Sequence, residues 1–166
     1  MKQQDYKIIK PVAGDVDEVW GLINYFAETS QELLPRNRNQ ILEQLLSFWI
    51  AKKVNSKGSQ KEEVIGCSSL HIWTNNLSEI KSLAVKQECQ GKGIGKKLID
   101  KCIEDAKNLG QREIFALTFR PAFFYKQGFR ETSKDNLPHK VWNECIHCPK
   151  LLTCGEVPVI FSLNDV

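Results

Sequence analysis

Residues 90–97 form a glycine-rich stretch suited to binding phosphate, and they read Gln-Gly-Lys-Gly-Ile-Gly-Lys-Lys. Glycines let the backbone approach an anion closely, and the amides of such a loop and of a following helix point positive dipoles at it. A flexible turn between a strand and a helix is the alternative interpretation. A strand-like run over residues 80–85 and a helix-like apolar pattern over residues 94–109 flank the loop, so we expect it to bind phosphate.

Comparison with known phosphate motifs narrows the ligand. A Walker A loop would need glycine at Gln90 and serine or threonine at Lys97, and the dinucleotide fingerprint would end on Lys96 or Leu98 instead of glycine. The pattern that fits is Arg/Gln-x-x-Gly-x-Gly/Ala. It resembles the pyrophosphate loop of GNAT acetyltransferases, which grips acetyl-CoA. The resemblance implies donor binding by the loop residues Gln90, Gly91, Lys92, Gly93, Ile94, Gly95 and Lys96, and by the backbone of Leu83, Ala84 and Val85.

The elements that must position this loop can be predicted from apolar periodicity and turn residues. Asp15 and Asn39 are predicted to cap two helices near the start of the chain, and Gly110 is predicted to end the helix after the loop. The resemblance implies an α/β (α+β) GNAT fold, with a mixed, mostly antiparallel sheet flanked by helices. We expect residues 1–135 to form the acetyltransferase core and residues 136–166 a cysteine-rich extension packed on it. Strands are predicted over residues 6–9, 48–54, 64–73, 78–85, 112–118 and 158–161, with another beginning at 128.

A second resemblance concerns the acceptor. The segments 33–36 (Leu-Leu-Pro-Arg) and 79–85 (Glu-Ile-Lys-Ser-Leu-Ala-Val), together with the tail from 137 to 156, are similar to short bacterial amino-acid acetyltransferases. These resemble the acetyltransferase half of N-acetylglutamate synthase. The resemblance implies transfer of acetyl to the α-amine of L-glutamate, for arginine biosynthesis. Longer relatives carry an arginine-binding kinase-like domain, which this sequence lacks, so arginine feedback through that domain is not expected.

Glu79 is the candidate general base, because an amino-acid amine is largely protonated at neutral pH and must lose a proton before it attacks. GNAT enzymes often place a glutamate at this point of the fourth strand, acting through water. Residues of a strand alternate between faces, so Lys81 shares the face of Glu79 and is a candidate to hold a substrate carboxylate. The alternatives are a solvated surface carboxylate for Glu79 and a simple ion pair between the two residues.

Arg36 and Arg120 are candidates to bind the two carboxylates of glutamate. Arginine is suited to bidentate capture of a carboxylate, and each of the two lies beside a proline in a predicted loop. Solvated surface arginines are the alternative.

At the position of the general acid, this sequence differs from the family pattern. Many GNAT enzymes have a tyrosine where this chain has Phe124, and Tyr125 is about 100° further round the helix. Tyr125 is therefore the candidate acid, and water is the alternative proton donor.

The tail contains Cys145, Cys148 and Cys154, which could bind zinc with His139 or His147 as a fourth ligand. The alternative is a set of buried, reduced thiols. In either case we expect the tail to pack near the acceptor side, as a cover or as a homodimer contact.

Composition limits the remaining possibilities. The chain has 166 residues, 42% of them hydrophobic, and a net charge of +3, which fits one globular domain and gives no reason to expect nucleic acid. No apolar run has the length of a membrane span and the N-terminus has no signal-like region, so we expect a cytoplasmic protein with no membrane partner. Two further functions stay open: acetylation of another amine, and a non-catalytic regulator that binds acetyl-CoA.

Overall fold

A computed structural model of the chain describes residues 5–54, 62–149 and 153–163, and describes only the backbone at 139, 140 and 142. Seven strands and five α-helices are found in this part of the chain. The strands are β1 (Tyr6–Ile9), β2 (Phe48–Lys53), β3 (Val64–Ile72), β4 (Leu77–Val85), β5 (Glu113–Thr118), β6 (Arg130–Glu131) and β7 (Val157–Ser162). The helices are α1 (Val16–Glu28), α2 (Arg38–Glu43), α3 (Ile94–Asn108), α4 (Pro121–Tyr125) and α5 (His139–Ile146).

The chain forms two compact units, and the first comprises residues 1–70 and 80–104. Its strands follow the order β1-β2-β3-β4, with antiparallel pairing of β1 to β2 and of β2 to β3. Adjacent residues of β2 belong to two different hydrophobic clusters. Ile50 packs in a cluster with α1 residues such as Ile23. Ala51 packs in another cluster, with Ile94 and Leu98 of α3. Since neighbouring side chains of a strand point to opposite faces, α1 and α3 cover the two faces of this part of the sheet.

The second unit comprises residues 71–79 and 105–166, with strand order β4-β5-β7-β6. The start of β4 pairs in parallel with β5, while β7 lies antiparallel between β5 and β6. A separate core forms here around Phe115, Ile160 and Val141. The predicted fold class, a mixed and mostly antiparallel sheet flanked by helices, is therefore confirmed.

Two predicted helix caps need correction. The second helix is capped by Asn37 and not by Asn39: Asn37 Oδ1 accepts from the Gln40 amide (2.9 Å), and Gln40 Oε1 accepts from the Asn37 amide (3.0 Å). This reciprocal pair needs an amide side chain three residues after the cap, which Gln40 supplies. Asp15 precedes α1 but makes no side-chain cap. Its carboxylate accepts instead from the Val12 amide (3.0 Å).

The predicted cysteine-rich extension contains helix α5, which was not among the predicted elements. Val141 and Cys145, four residues apart, pack against the core of the second unit, so one face of this short helix is held by tertiary contacts rather than by a long periodic pattern. Strand β7 lies within the predicted extension and pairs with β5 along its whole length. Among the helices of the described residues, none is long and apolar enough to cross a membrane.

The Asp15–Lys52 ion pair should contribute measurably to stability. The two charged atoms are 2.7 Å apart, and the side chains are 6% and 13% exposed. Replacing Asp15 by alanine leaves a buried ammonium without its partner, so we expect the free energy of unfolding to fall by about 3 kcal/mol. Chemical denaturation measures this change.

Asp100→Ala is the matched control, because Asp100 pairs with Lys96 at 50% and 57% exposure and should cost less than about 1 kcal/mol. Equal losses in both variants would contradict a special role for the buried pair.

Candidate active site

The glycine-rich loop adopts backbone conformations that side chains disfavour. Gly91 has φ of 74° and Gly93 has φ of 79°. No atom lies within 4 Å of a Cβ built at either position, so the requirement for glycine there is conformational and not steric. The predicted role of these glycines in shaping the loop therefore has a structural reason.

The loop leads directly into helix α3. The Lys97 amide donates to Gly93 O (3.2 Å) as the helix begins, and Ile94 anchors this end in the core with 2% exposure. Gln90 Nε2 donates to Val85 O (3.0 Å), which ties the loop back to the end of β4. Lys92 is exposed beside the helix N-terminus. These amides and this cation suit the pyrophosphate of acetyl-CoA.

A close approach between α3 and the sheet sets the position of the loop. A Cβ at Gly66 of β3 would lie 3.2 Å from Ala84 O, from Ile94 Cγ2 and from Leu98 Cδ1. Because such contacts are tighter than ordinary packing allows, glycine here lets the first turns of α3 lie directly against β3 and β4. The loop is thereby held at the end of β4.

Strand β4 has one residue more than β3 across their hairpin. Near the turn, the Trp73 amide donates to Leu77 O (3.0 Å), and at the far end the Lys86 amide donates to Ile65 O (2.9 Å). Between these bonds β4 has one extra residue, and Ser82 there has φ of 54°, which non-glycine residues seldom adopt. This is a β-bulge, which interrupts the backbone ladder directly before residues 83–85, the segment of β4 predicted to bind the acetyl donor.

Two side chains of β3 donate to the carbonyl groups at the bulge. Ser69 Oγ donates to Lys81 O (3.2 Å), and Cys67 Sγ donates to Ser82 O (3.4 Å). Burial raises the pKa of the Cys67 thiol to about 12, against the opposing charge of Arg36. Cys67 therefore stays protonated and remains a hydrogen-bond donor. Sequence reasoning missed both residues, although their two-residue spacing on β3 places them on one face.

Arg36, a predicted substrate ligand, lies within electrostatic range of this bulge. Its guanidinium is 5.9 Å from the centre of the Phe48 ring, and Nη1 donates to Gln44 Oε1 (2.8 Å). Its charge also acts on the Cys67 thiol, which contacts Ser82 O. The structure thus brings Arg36 to the same part of the first unit as residues 83–85 of β4.

Glu79, the predicted base, is buried in the second unit. Its side chain is 6% exposed, which does not describe a solvated surface carboxylate. Trp73 Nε1 donates to Glu79 Oε2 (2.7 Å), and the Trp73 ring packs edge-on against His71 with centroids 4.5 Å apart. Sequence reasoning missed Trp73, which the hairpin turn brings back beside Glu79. Lys81 is half-buried further along β4.

The remaining predicted polar groups lie around α4. Phe124, at the family's tyrosine position, is 4% exposed. Tyr125 is exposed, and its hydroxyl donates to Glu131 Oε2 (3.0 Å). Desolvation, with the hydrogen bond and negative charge of Glu131, raises the pKa of the Tyr125 phenol. Arg120 is exposed at the start of α4, where its amide donates to Thr118 Oγ1 (2.9 Å).

The three tail cysteines are half-buried and form no disulfide. Cys154 Sγ lies 3.6 Å from both Lys134 Nζ and Glu156 Oε2. Desolvation, followed by the electrostatic effects of the neighbouring Cys154 and Glu156 side chains, raises the pKa of the Cys145 thiol. No group of three or more histidine, cysteine, aspartate or glutamate side chains within the described ranges could hold a metal ion. The predicted zinc site at Cys145, Cys148 and Cys154 is therefore not supported.

Comparison with known proteins identifies relatives of this sequence. The model of the acetyltransferase (GNAT) family matches residues 18–129. An uncharacterized N-acetyltransferase of Chlorobaculum tepidum is 35% identical over 131 residues, which cover 79% of this chain and 80% of that protein. An amino-acid acetyltransferase of Mycobacterium tuberculosis is 31% identical over 130 residues, which cover 78% of this chain and 71% of that protein.

Solved structures extend the likeness to three dimensions. A Mycobacterium tuberculosis protein in complex with CoA has a TM-score of 0.77 at 25% identity, over 94% of this chain and 98% of that one. The N-acetylglutamate synthase of Neisseria gonorrhoeae, complexed with CoA and N-acetyl-glutamate, has a TM-score of 0.82 at 24% identity. That match covers 98% of this chain but 36% of the Neisseria chain, and it shows the shared fold.

The Cys67 thiol should make the free energy of unfolding fall as the pH rises through the alkaline range. Its pKa rises from 9.0 to about 12 on folding, so the unfolded thiol loses its proton first as pH increases, and the stability present below pH 9 is lost above it. Between about pH 8 and about pH 10, we expect the free energy of unfolding of the wild type to fall by about 1 kcal/mol more than that of Cys67→Ser.

Serine keeps a hydrogen-bond donor for Ser82 O but does not titrate in this pH range. Cys67→Ser is therefore the matched control for the wild type. Urea denaturation at each pH gives both values. Parallel pH dependence of the two proteins would show that Cys67 is not protected by burial.

Proposed function

The chain belongs to the GNAT acetyltransferase family, and we propose that within this family it transfers the acetyl group of acetyl-CoA to the α-amine of L-glutamate. The donor is the part that the relatives support directly, because neighbouring structures hold CoA. The acceptor is our proposal. It rests above all on Arg36, a guanidinium suited to a carboxylate and held beside the bulge of β4.

The names of two related proteins support an amino acid as the acceptor. The Mycobacterium tuberculosis relative is named an amino-acid acetyltransferase, and the Neisseria synthase was solved with N-acetyl-glutamate. We extend this acceptor to the present chain. In the same proposal, the product enters arginine biosynthesis in the cytoplasm.

For the donor, we assign the pyrophosphate to the glycine-rich loop at residues 90–96 and the pantetheine to the backbone of residues 83–85. The positive φ values of Gly91 and Gly93 give the loop the concave backbone that an anion needs. The bulge at Ser82 interrupts the ladder where the thioester would be polarised.

For the acceptor, we assign Arg36, Arg120 and Lys81 to the two carboxylates. Their cationic groups offset the negative charge that glutamate brings, and arginine can bind a carboxylate through two parallel hydrogen bonds. Arg120 is exposed at the start of α4.

Glu79 acts as the general base through water. It takes one proton from the substrate ammonium, and the amine then attacks the thioester carbon. A carbon–nitrogen bond forms, and the tetrahedral intermediate loses a second proton as the carbon–sulfur bond breaks. The CoA thiolate takes up one proton, from Tyr125 or from water, and the other is released to solvent. The Trp73 indole, 2.7 Å from Glu79 Oε2, holds the carboxylate in one orientation.

The acceptor can be tested by CoA release from acetyl-CoA with L-glutamate, L-glutamine, L-aspartate, L-arginine and a polyamine in parallel. We expect L-glutamate to have the highest kcat/KM. Glu79→Gln should lower kcat by about 100-fold or more, and Arg36→Ala should raise the KM for glutamate by about tenfold or more.

Arg38→Ala is the control for Arg36, because Arg38 is 52% exposed and pairs with Asp17. Preferred turnover of a different amine would refute the acceptor assignment and leave the family unchanged. Binding of acetyl-CoA with no turnover of any amine would favour a regulator.

The hydrogen bond from Trp73 to Glu79 should matter for turnover. Trp73→Phe keeps an aromatic ring beside His71 but removes the N–H donor, so we expect kcat to fall by about tenfold while the KM for acetyl-CoA is unchanged. Steady-state kinetics with both substrates varied separates the two constants. Trp20→Phe is the control, since Trp20 packs against the core of the first unit. A kcat for Trp73→Phe equal to that of the control would exclude this orienting role.

A further inference from the structure

Asn24 of helix α1 contacts a residue twelve positions further along the chain, Arg36. We propose that Asn24 is a positioning residue for acceptor recognition, because its carboxamide holds the backbone of Arg36 in the place from which the guanidinium meets a substrate carboxylate. This inference rests on the proposed function, since it requires that Arg36 bind the acceptor.

The contact satisfies both backbone groups of Arg36. Asn24 Nδ2 donates to Arg36 O (2.9 Å), and the Arg36 amide donates to Asn24 Oδ1 (3.2 Å). Two reciprocal bonds of this kind reproduce the pairing that a neighbouring strand would give. Asn24 Nδ2 also donates to Trp20 O one helical turn earlier (2.9 Å), which fixes the carboxamide to α1 itself.

This clamp acts on a segment that has no regular secondary structure of its own. Residues 29–37 connect α1 to α2 and contain neither helix nor strand, so no backbone ladder sets the position of Arg36. Asn24 lies about one turn before the end of α1, a 13-residue helix whose opposite side is buried in the core. The loop residue therefore takes its position from a rigid element.

The guanidinium is held separately from the backbone. Gln44 Oε1 accepts from Arg36 Nη1 (2.8 Å), and the Phe48 ring centre lies 5.9 Å from Arg36 Cζ. With both ends restrained, the side chain keeps less of the rotamer freedom that a free arginine would lose on binding. Capture of a carboxylate through two parallel hydrogen bonds is sensitive to the position of the guanidinium, so the clamp should act on acceptor affinity.

The test is a double-mutant cycle on the KM for L-glutamate. Asn24→Ala should raise that KM by about tenfold, the effect of about 1.4 kcal/mol of lost restraint, while kcat and the KM for acetyl-CoA stay within about twofold. In the Arg36→Ala background, Asn24→Ala should have almost no further effect, because its target is gone. Asn24→Asp keeps the acceptor for the Arg36 amide but lacks the donor to Arg36 O. Its KM for L-glutamate should therefore lie between that of the wild type and that of Asn24→Ala.

Ser30→Ala is the matched control. Ser30 lies in the same connecting segment and bonds to Phe26 O and to the Glu32 amide, so its loss perturbs the segment without touching Arg36. Thermal unfolding of every variant separates a change in acceptor binding from a general loss of stability. Independent, additive effects of Asn24→Ala and Arg36→Ala, or an equal rise in KM with Ser30→Ala, would overturn the proposal.

The outcomes also separate this inference from the proposed function. If Arg36→Ala raises the KM for glutamate and Asn24→Ala does not, the function stands and the positioning role fails. If the wild type prefers another amine that carries a carboxylate, the glutamate assignment fails and the cycle is run with that amine. If it prefers an amine without a carboxylate, or turns over none, both are overturned.

Discussion

The single extra residue in β4 is the constraint on which the first unit of this protein depends. Ser82 adopts a left-handed backbone conformation, and the ladder between β3 and β4 is interrupted there. Within a regular hairpin, the backbone groups of residues 83–85 would be directed at a neighbouring strand. The bulge shifts the pairing of this part of β4 with β3 by one residue, and residues 83–85 just beyond it are the segment to which we assign the acetyl donor.

The bulge is stable because β3 supplies what the ladder does not. Cys67 and Ser69 donate to the two carbonyls at the bulge, and a buried carbonyl without such a partner would be costly. The thiol can do this at any physiological pH because burial holds its pKa at about 12. On the same strand, Gly66 lets α3 approach closely. One strand therefore supports both the bulge and the start of helix α3.

The residues that we propose for the acceptor are restrained in a different way, by neutral side chains elsewhere in the chain. Arg36 lies in a segment without regular structure, yet Asn24 pairs with both of its backbone groups. Glu79 is on a strand, and Trp73 across the hairpin turn orients its carboxylate. In both cases a neutral side chain restrains the charged group or its backbone.

Sequence patterns predicted the strands, the first helices and the glycine loop, because these depend on local periodicity and on turn residues such as glycine. The fold class was predicted from the resemblance of that loop and its flanking elements to GNAT acetyltransferases. The sequence patterns did not predict helix α5, whose short apolar face needs its tertiary partner, nor the cap at Asn37, where the reciprocal bond with Gln40 decided between two nearby asparagines. The roles of Asn24, Cys67 and Trp73 were also decided only by tertiary structure. Each of them acts on a residue that is distant in the sequence or lies across a turn, and spacing along one element contains no information about such a pair.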